Sequence, residues 1–180
     1  MSVSKGILFA TLLSLSANVR AEDCLNNLPP SIRTAVEQDS WTILQPQDLA
    51  GTDPQRWKGN HPGECPGVTS GNFYPKGKTS YLIALIQRDP TQAGEQTSQL
   101  EKLTLVYLKK DRPITVPVIP PTQVPAPMVV WKLHRGSYQD LYGAKKVTIS
   151  RESFVYEKLV GPANRFYYDG SHLKSLVLSR

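Results

Sequence analysis

Histidine and cysteine are scarce in this chain, three of one and two of the other, and that scarcity removes whole classes of chemistry. His61, His134 and His172 lie far apart, without the H-E-x-x-H spacing that places two imidazoles on one helix face. Each reads as a surface or turn residue, so neither a metal site nor any cofactor is expected. No G-x-S-x-G elbow is present to expose a serine nucleophile. Ser171-His172-Leu173-Lys174 has the S-x-x-K spacing of penicillin-recognising enzymes, but that serine opens a helix, whereas this one follows an Asp-Gly turn into a strand. The stretch from Gly71 to Thr79 imitates a phosphate-binding loop with one residue too many between its glycines. Strand-forming residues also follow it, where the motif needs a helix N-terminus. Glu64, Asp140, Glu152, Glu157 and Asp169 are available for paired-carboxylate chemistry, but the sequence does not bring any two together. No catalytic residue is assigned.

Long apolar runs are also missing. The longest candidate, Ile7 to Leu15, falls far short of the roughly 20 residues that span a bilayer. With Lys5 before it and Val19-Arg20-Ala21 after it, it reads as a signal peptide over residues 1–21, cleaved near Ala21. The acidic pair Glu22-Asp23 before Cys24 does not fit a lipidation site. The mature chain, 22–180, is therefore expected in the periplasm or secreted medium, soluble and without a membrane span. Losing Lys5 and Arg20 lowers the formal net charge from +6 to +4. The remaining cations are scattered singly or in pairs, such as Lys109-Lys110 and Lys145-Lys146. Nucleic-acid binding would gather them on one stripe with stacking aromatics, and no nucleic-acid partner is expected. In an oxidising compartment Cys24 and Cys65 are expected to pair. The bridge would close a loop of about 40 residues, worth around 4 kcal/mol on the chain-entropy model. A redox pair or half a metal site are the rival readings, and no C-x-x-C spacing favours them.

What is present is mostly β signal. Asn26-Asn27-Leu28-Pro29-Pro30 followed by Ile32, Ala35 and Val36 on one face predicts a short helix over 29–39. Strands are predicted at 41–44, 68–74, 80–86, 100–110, 128–134, 146–151 and 153–160, from their β-branched and aromatic content. Ser80 to Ile86 is apolar at alternate and intervening positions alike, as a central strand should be. Residues 165–168 and 172–178 flank Asp169-Gly170 and read as a terminal hairpin. Between Pro113 and Pro127 there are six prolines in 15 residues. Lacking amide donors, this stretch is excluded from the middle of a sheet. It is expected to be extended, in a polyproline-like or sheet-edge conformation, either as a stiff connection between strands or as a projecting arm that docks on a partner. The fold class is thus α+β, mostly β, as a meandering antiparallel sheet with one short N-terminal helix in a single domain over 22–180.

One resemblance comes from Cys65-Pro66-Gly67, then Gly71-Asn72-Phe73, then Tyr81-Leu82-Ile83-Ala84-Leu85-Ile86. This pattern is similar to a single unit of the integrin-type FG-GAP repeat found in exported proteins. The repeat carries aspartates for calcium after its G-x-F; here Lys76 and Lys78 stand in that turn, so no calcium is expected. The resemblance implies a small β domain of a binding type. By overall character the chain also resembles periplasmic immunity proteins that neutralise type VI secretion effectors, and inhibitors of lysozyme-like enzymes. The expected function is therefore stoichiometric binding of a protein partner, a toxin or hydrolase. The alternative is an envelope-acting enzyme or small-ligand binder with no recognisable motif. Aromatic anchors on rigid loops dominate such binding, which nominates Trp57, Tyr74, Pro120 and Pro121 of the proline-rich stretch, and Tyr138 and Tyr142 of the Gly136–Gly143 loop. Trp41 and Trp131 are assigned to the core.

Overall fold

The computed structural model describes residues 25–74, 77–87 and 99–180; the expected signal peptide and Cys24 lie outside them. Among the described residues, eleven strands, two short α-helices and one 3-10 turn (Pro46–Asp48) make an antiparallel, mostly β fold. Helix α1 (Pro30–Val36) forms where predicted, with proline in its first turn. It buries Ile32 and Val36. No element is predicted between the strands at 41–44 and 68–74, but the chain forms a second helix there, α2 (Asp53–Asn60). Only Trp57 is buried from it, so no apolar stripe could announce it in the sequence.

Strands β1 (Thr42–Ile43), β2 (Val68–Gly71), β3 (Ser80–Gln87), β4 (Gln99–Lys109) and β5 (Arg112–Val124) form the first sheet. β1 and β2 lie end to end along one edge of β3. Leu44 N–H donates to Ala84 O, and Ala84 N–H donates to Gly67 O, at 3.0 and 2.9 Å. A Cβ on Gly67 would sit 2.2 Å from Leu44 O, so only glycine lets the two short strands meet there. β6 (Val129–Leu133), β9 (Ser153–Glu157), β10 (Ala163–Asp169) and β11 (His172–Ser179) form the second sheet, in the order β11-β10-β9-β6. β7 (Gly136–Gln139) and β8 (Lys146–Ile149) make a separate two-stranded hairpin. Residues 136–139, expected as loop, are therefore strand.

β3 organises the core because both of its faces are covered. Leu82, Ala84 and Ile86 join Leu103 and Leu105 of β4 against Val129, Val130, Phe154 and Tyr156 of the second sheet. Ile83 and Leu85 face the other way, into a cluster with Ile32, Val36, Trp41 and Cys65. The order is helix, sheet, sheet. Val130 N–H donates to Pro66 O at 2.8 Å, which tacks the β6 edge of one sheet to the chain just before β2 of the other. On the opposite side each sheet ends in a strand paired on one side only, β5 and β11. The proline-rich segment takes the expected sheet-edge conformation and is not a projecting arm. It is the edge strand β5, paired to β4 from Arg112 to Val124 with two irregularities in register.

Candidate functional site

The β7–β8 hairpin is fixed to the second sheet by an arginine that was not singled out from the sequence. Arg165, Val155 and Leu176 are cross-strand neighbours, so they share a face. By strand alternation that face points away from Phe154 and Phe166, which lie in the sheet-to-sheet core. Arg165 is fully buried there. Its Nε donates to Ser153 Oγ at 2.7 Å and its Nη2 to His134 O at 2.9 Å. The guanidinium carbon lies 3.2 Å from the centre of the Tyr138 ring, and Tyr138 Oη donates to His134 O at 2.8 Å. Burial pushes the Arg165 guanidinium below its ordinary value, partly offset by Tyr138. His134 precedes β7 and Ser153 follows β8, so one side chain holds both roots of the hairpin. The signal was present: a charged residue among Phe166, Tyr167 and Tyr168, on a strand with buried alternate positions.

The other end of the hairpin is held as well. Leu141 N–H donates to Val177 O of β11 at 2.9 Å, and Asp140 and Lys145 close the loop through a backbone bond of 2.9 Å. The Asp140 carboxylate accepts from Lys145 N–H at 3.1 Å. Held this way, the loop presents Leu141 and Tyr142, which are 45% and 57% exposed. They are two of the four large hydrophobic residues that stand out to solvent among the described residues. Arg180 lies 4.9 Å over the Tyr142 ring, and Lys145 and Lys146 are exposed beside it.

The residues nominated from sequence are dispersed. Trp57 is only 2% exposed, with its indole N–H donating to Glu64 O at 2.9 Å and His61 stacked on it at 4.1 Å. It is core, not a surface anchor. Tyr74 is half-buried between Tyr168 at 4.9 Å and Tyr107 at 6.1 Å, so its ring already has partners. Pro120 and Pro121 are exposed on β5. Tyr138 serves the hairpin root, and Tyr142 alone combines an aromatic ring with a rigid, exposed loop.

The named acids have separate partners. Glu64 lies 3.4 Å from His61 Nδ1. Glu152 accepts from Asn72 N–H at 2.6 Å and pairs with Lys132 at 3.4 Å, which holds its carboxyl below the usual range. Asp169 pairs with Lys174. Glu157 is half-buried, and burial raises its pKa. No cluster of His, Cys, Asp and Glu suited to a metal ion occurs among the described residues. Comparison with protein-family models, curated proteins and solved structures finds no match. A polar cleft of about 240 Å³ opens between the loop at Gly63-Glu64, Thr69 and Ser70 of β2, Tyr81 and Lys132. That is below the roughly 300 Å³ at which small-molecule sites begin.

Proposed function

We propose that the chain is an exported protein-binding module that blocks a toxin or hydrolase stoichiometrically. The observation that carries this reading is Tyr142. It is a large aromatic side chain more than half exposed, on a loop fixed at its root by Arg165 and near its tip by the Leu141–Val177 bond. A rigid aromatic loses little conformational freedom on binding, so most of its contact energy appears as affinity. The remaining parts of the reading are a signal peptide over 1–21 and a Cys24–Cys65 disulfide. The packing of Leu25, the residue after Cys24, into the same cluster as Cys65 supports that pairing.

The test is affinity purification of the tagged mature protein, 22–180, against envelope and secreted fractions, run beside Tyr142→Ala. We expect one partner retained at equal stoichiometry. Tyr142→Ala should weaken it by about thirtyfold, the equivalent of about 2 kcal/mol, with thermal unfolding unchanged. A partner held equally by both proteins would remove Tyr142 from the interface. Turnover of envelope material by the purified protein would replace the inhibitor reading with the enzymatic one.

A further inference from the structure

The two outer strands of the sandwich treat their free edges in opposite ways. β4 and β5 are joined by Lys110-Asp111, both at positive φ, so the flanking pair Lys109 and Arg112 exchanges both backbone bonds. Counting on by alternation, residues 113, 115 and 117 of β5 direct their backbone groups away from β4. Two of those three are proline and have no N–H to offer. In β11, Asp169 and His172 flank the turn at Gly170-Ser171, and residues 173, 175 and 177 point outward. Val177 O confirms this parity, because it accepts Leu141 N–H from outside the sheet. Leu173 and Ser175 keep both their N–H and C=O groups on the open edge, with no hydrogen-bond partner among the described residues. An unblocked edge of this kind is a template for one more strand.

We propose that the β11 edge from Leu173 to Ser175 takes an extended, acidic segment of a partner protein as an added strand. This rests on the protein-binding reading and names the partner's form. The acidity follows from what surrounds the edge. Lys174 is exposed at its centre and pairs with Asp169 of the neighbouring strand, and Tyr142, Lys145 and Arg180 stand beyond Val177 at its far end, so cations outnumber the one carboxylate along the edge. The same lysine disfavours a second copy as occupant. Two β11 strands paired antiparallel through Leu173 and Ser175 would set Lys174 directly opposite its own counterpart, and like charges in that position repel. An acidic strand meets attraction where a copy of this chain meets repulsion. The segment would add backbone bonds at Leu173 and Ser175 and run toward Tyr142, joining the strand edge to the hairpin loop as one surface.

Because the outward N–H groups take no part in the β10–β11 ladder, Ser175→Pro removes one without breaking the sheet, whereas Ser175→Ala leaves it in place. The probe is a displayed library of random 12-residue peptides panned on the full mature protein, with both variants checked for native-like unfolding. We expect enrichment of β-prone peptides carrying Asp or Glu. Their affinity should fall at least tenfold on Ser175→Pro, and also on Lys174→Glu, while Ser175→Ala binds as the parent does. Equal binding to Ser175→Pro, or no enrichment above an unrelated bait, would overturn the proposal. Sedimentation showing a dimer of the parent that Ser175→Pro dissolves would overturn it too, by assigning the edge to a second copy. A protein partner captured through Tyr142 but indifferent to Ser175→Pro would sink strand addition and leave the inhibitor reading standing.

Discussion

Glu101 is the residue most at odds with its surroundings. It is fully buried on β4, among the core residues between the sheets. Its Oε2 accepts Met128 N–H at 3.0 Å, Tyr156 also hydrogen-bonds to the carboxyl, and Oε1 has no partner. Burial outweighs both bonds and raises its pKa from 4.5 to about 7, and the same burial raises that of Tyr156. The folded protein therefore holds a proton at Glu101 that the unfolded chain releases. Between pH 4.5 and 7 stability falls as pH rises, and above that range the penalty is constant. At about 1.4 kcal/mol for each pKa unit, the full penalty is about 3 kcal/mol. Glu101→Gln should therefore raise stability by up to that amount at pH 8 and hardly change it at pH 4. Urea unfolding at the two pH values checks this; an equal gain at both would mean that ionisation is not the cause. The alternation of β4 already sets Glu101 on the same face as Leu103 and Leu105; what the sequence does not show is the cover over that end of the strand, which comes from Met128 and Tyr156 later in the chain.

Turns and short elements show where local chemistry was legible and where it was not. Asp169-Gly170 marked the last hairpin correctly, although the turn itself is Gly170-Ser171, with Gly170 at φ +63° supplying the required positive value. The β4–β5 turn carries no sequence signal because neither of its central residues is glycine or asparagine. Lys110 and Asp111 sit at φ +51° and +61°, a region that costs an L-residue roughly 1–2 kcal/mol. The double substitution Lys110→Asn with Asp111→Gly should stabilise the domain by about 1 kcal/mol with the denaturant slope unchanged. A decrease in the urea midpoint would show that Lys110 or Asp111 makes a compensating contact. Helix α2 escaped for a different reason. It depends on burying a single residue, Trp57, against the core, which is a tertiary event with no helical period to read. The same burial explains why an exposed-looking tryptophan in a polar stretch proved a poor guess for a binding anchor.

At the scale of the molecule, strand positions were readable because each strand carries its own β-forming residues, but their division into two sheets was not. Pairing partners depend on which faces find cover, and read from sequence alone the strands ran together as one meander. The proline count correctly excluded residues 113–127 from the middle of a sheet; it could not say that Pro113 and Pro117 fall where amides would point outward. Replacing both with threonine should restore those donors and open a second edge. Sedimentation velocity should then show concentration-dependent association that the parent lacks, whereas an unchanged monomer would mean that something other than proline guards β5. The path of the chain between the sheets has a last consequence. Every ladder of the first sheet closes within residues 42–124, and every ladder of the second within 129–179. The backbone crosses between them once, at 125–128, where Met128 N–H meets Glu101. A chain that emerges N-terminus first can complete one whole sheet before the next begins, with β5 proline-edged while its inner face still waits for cover.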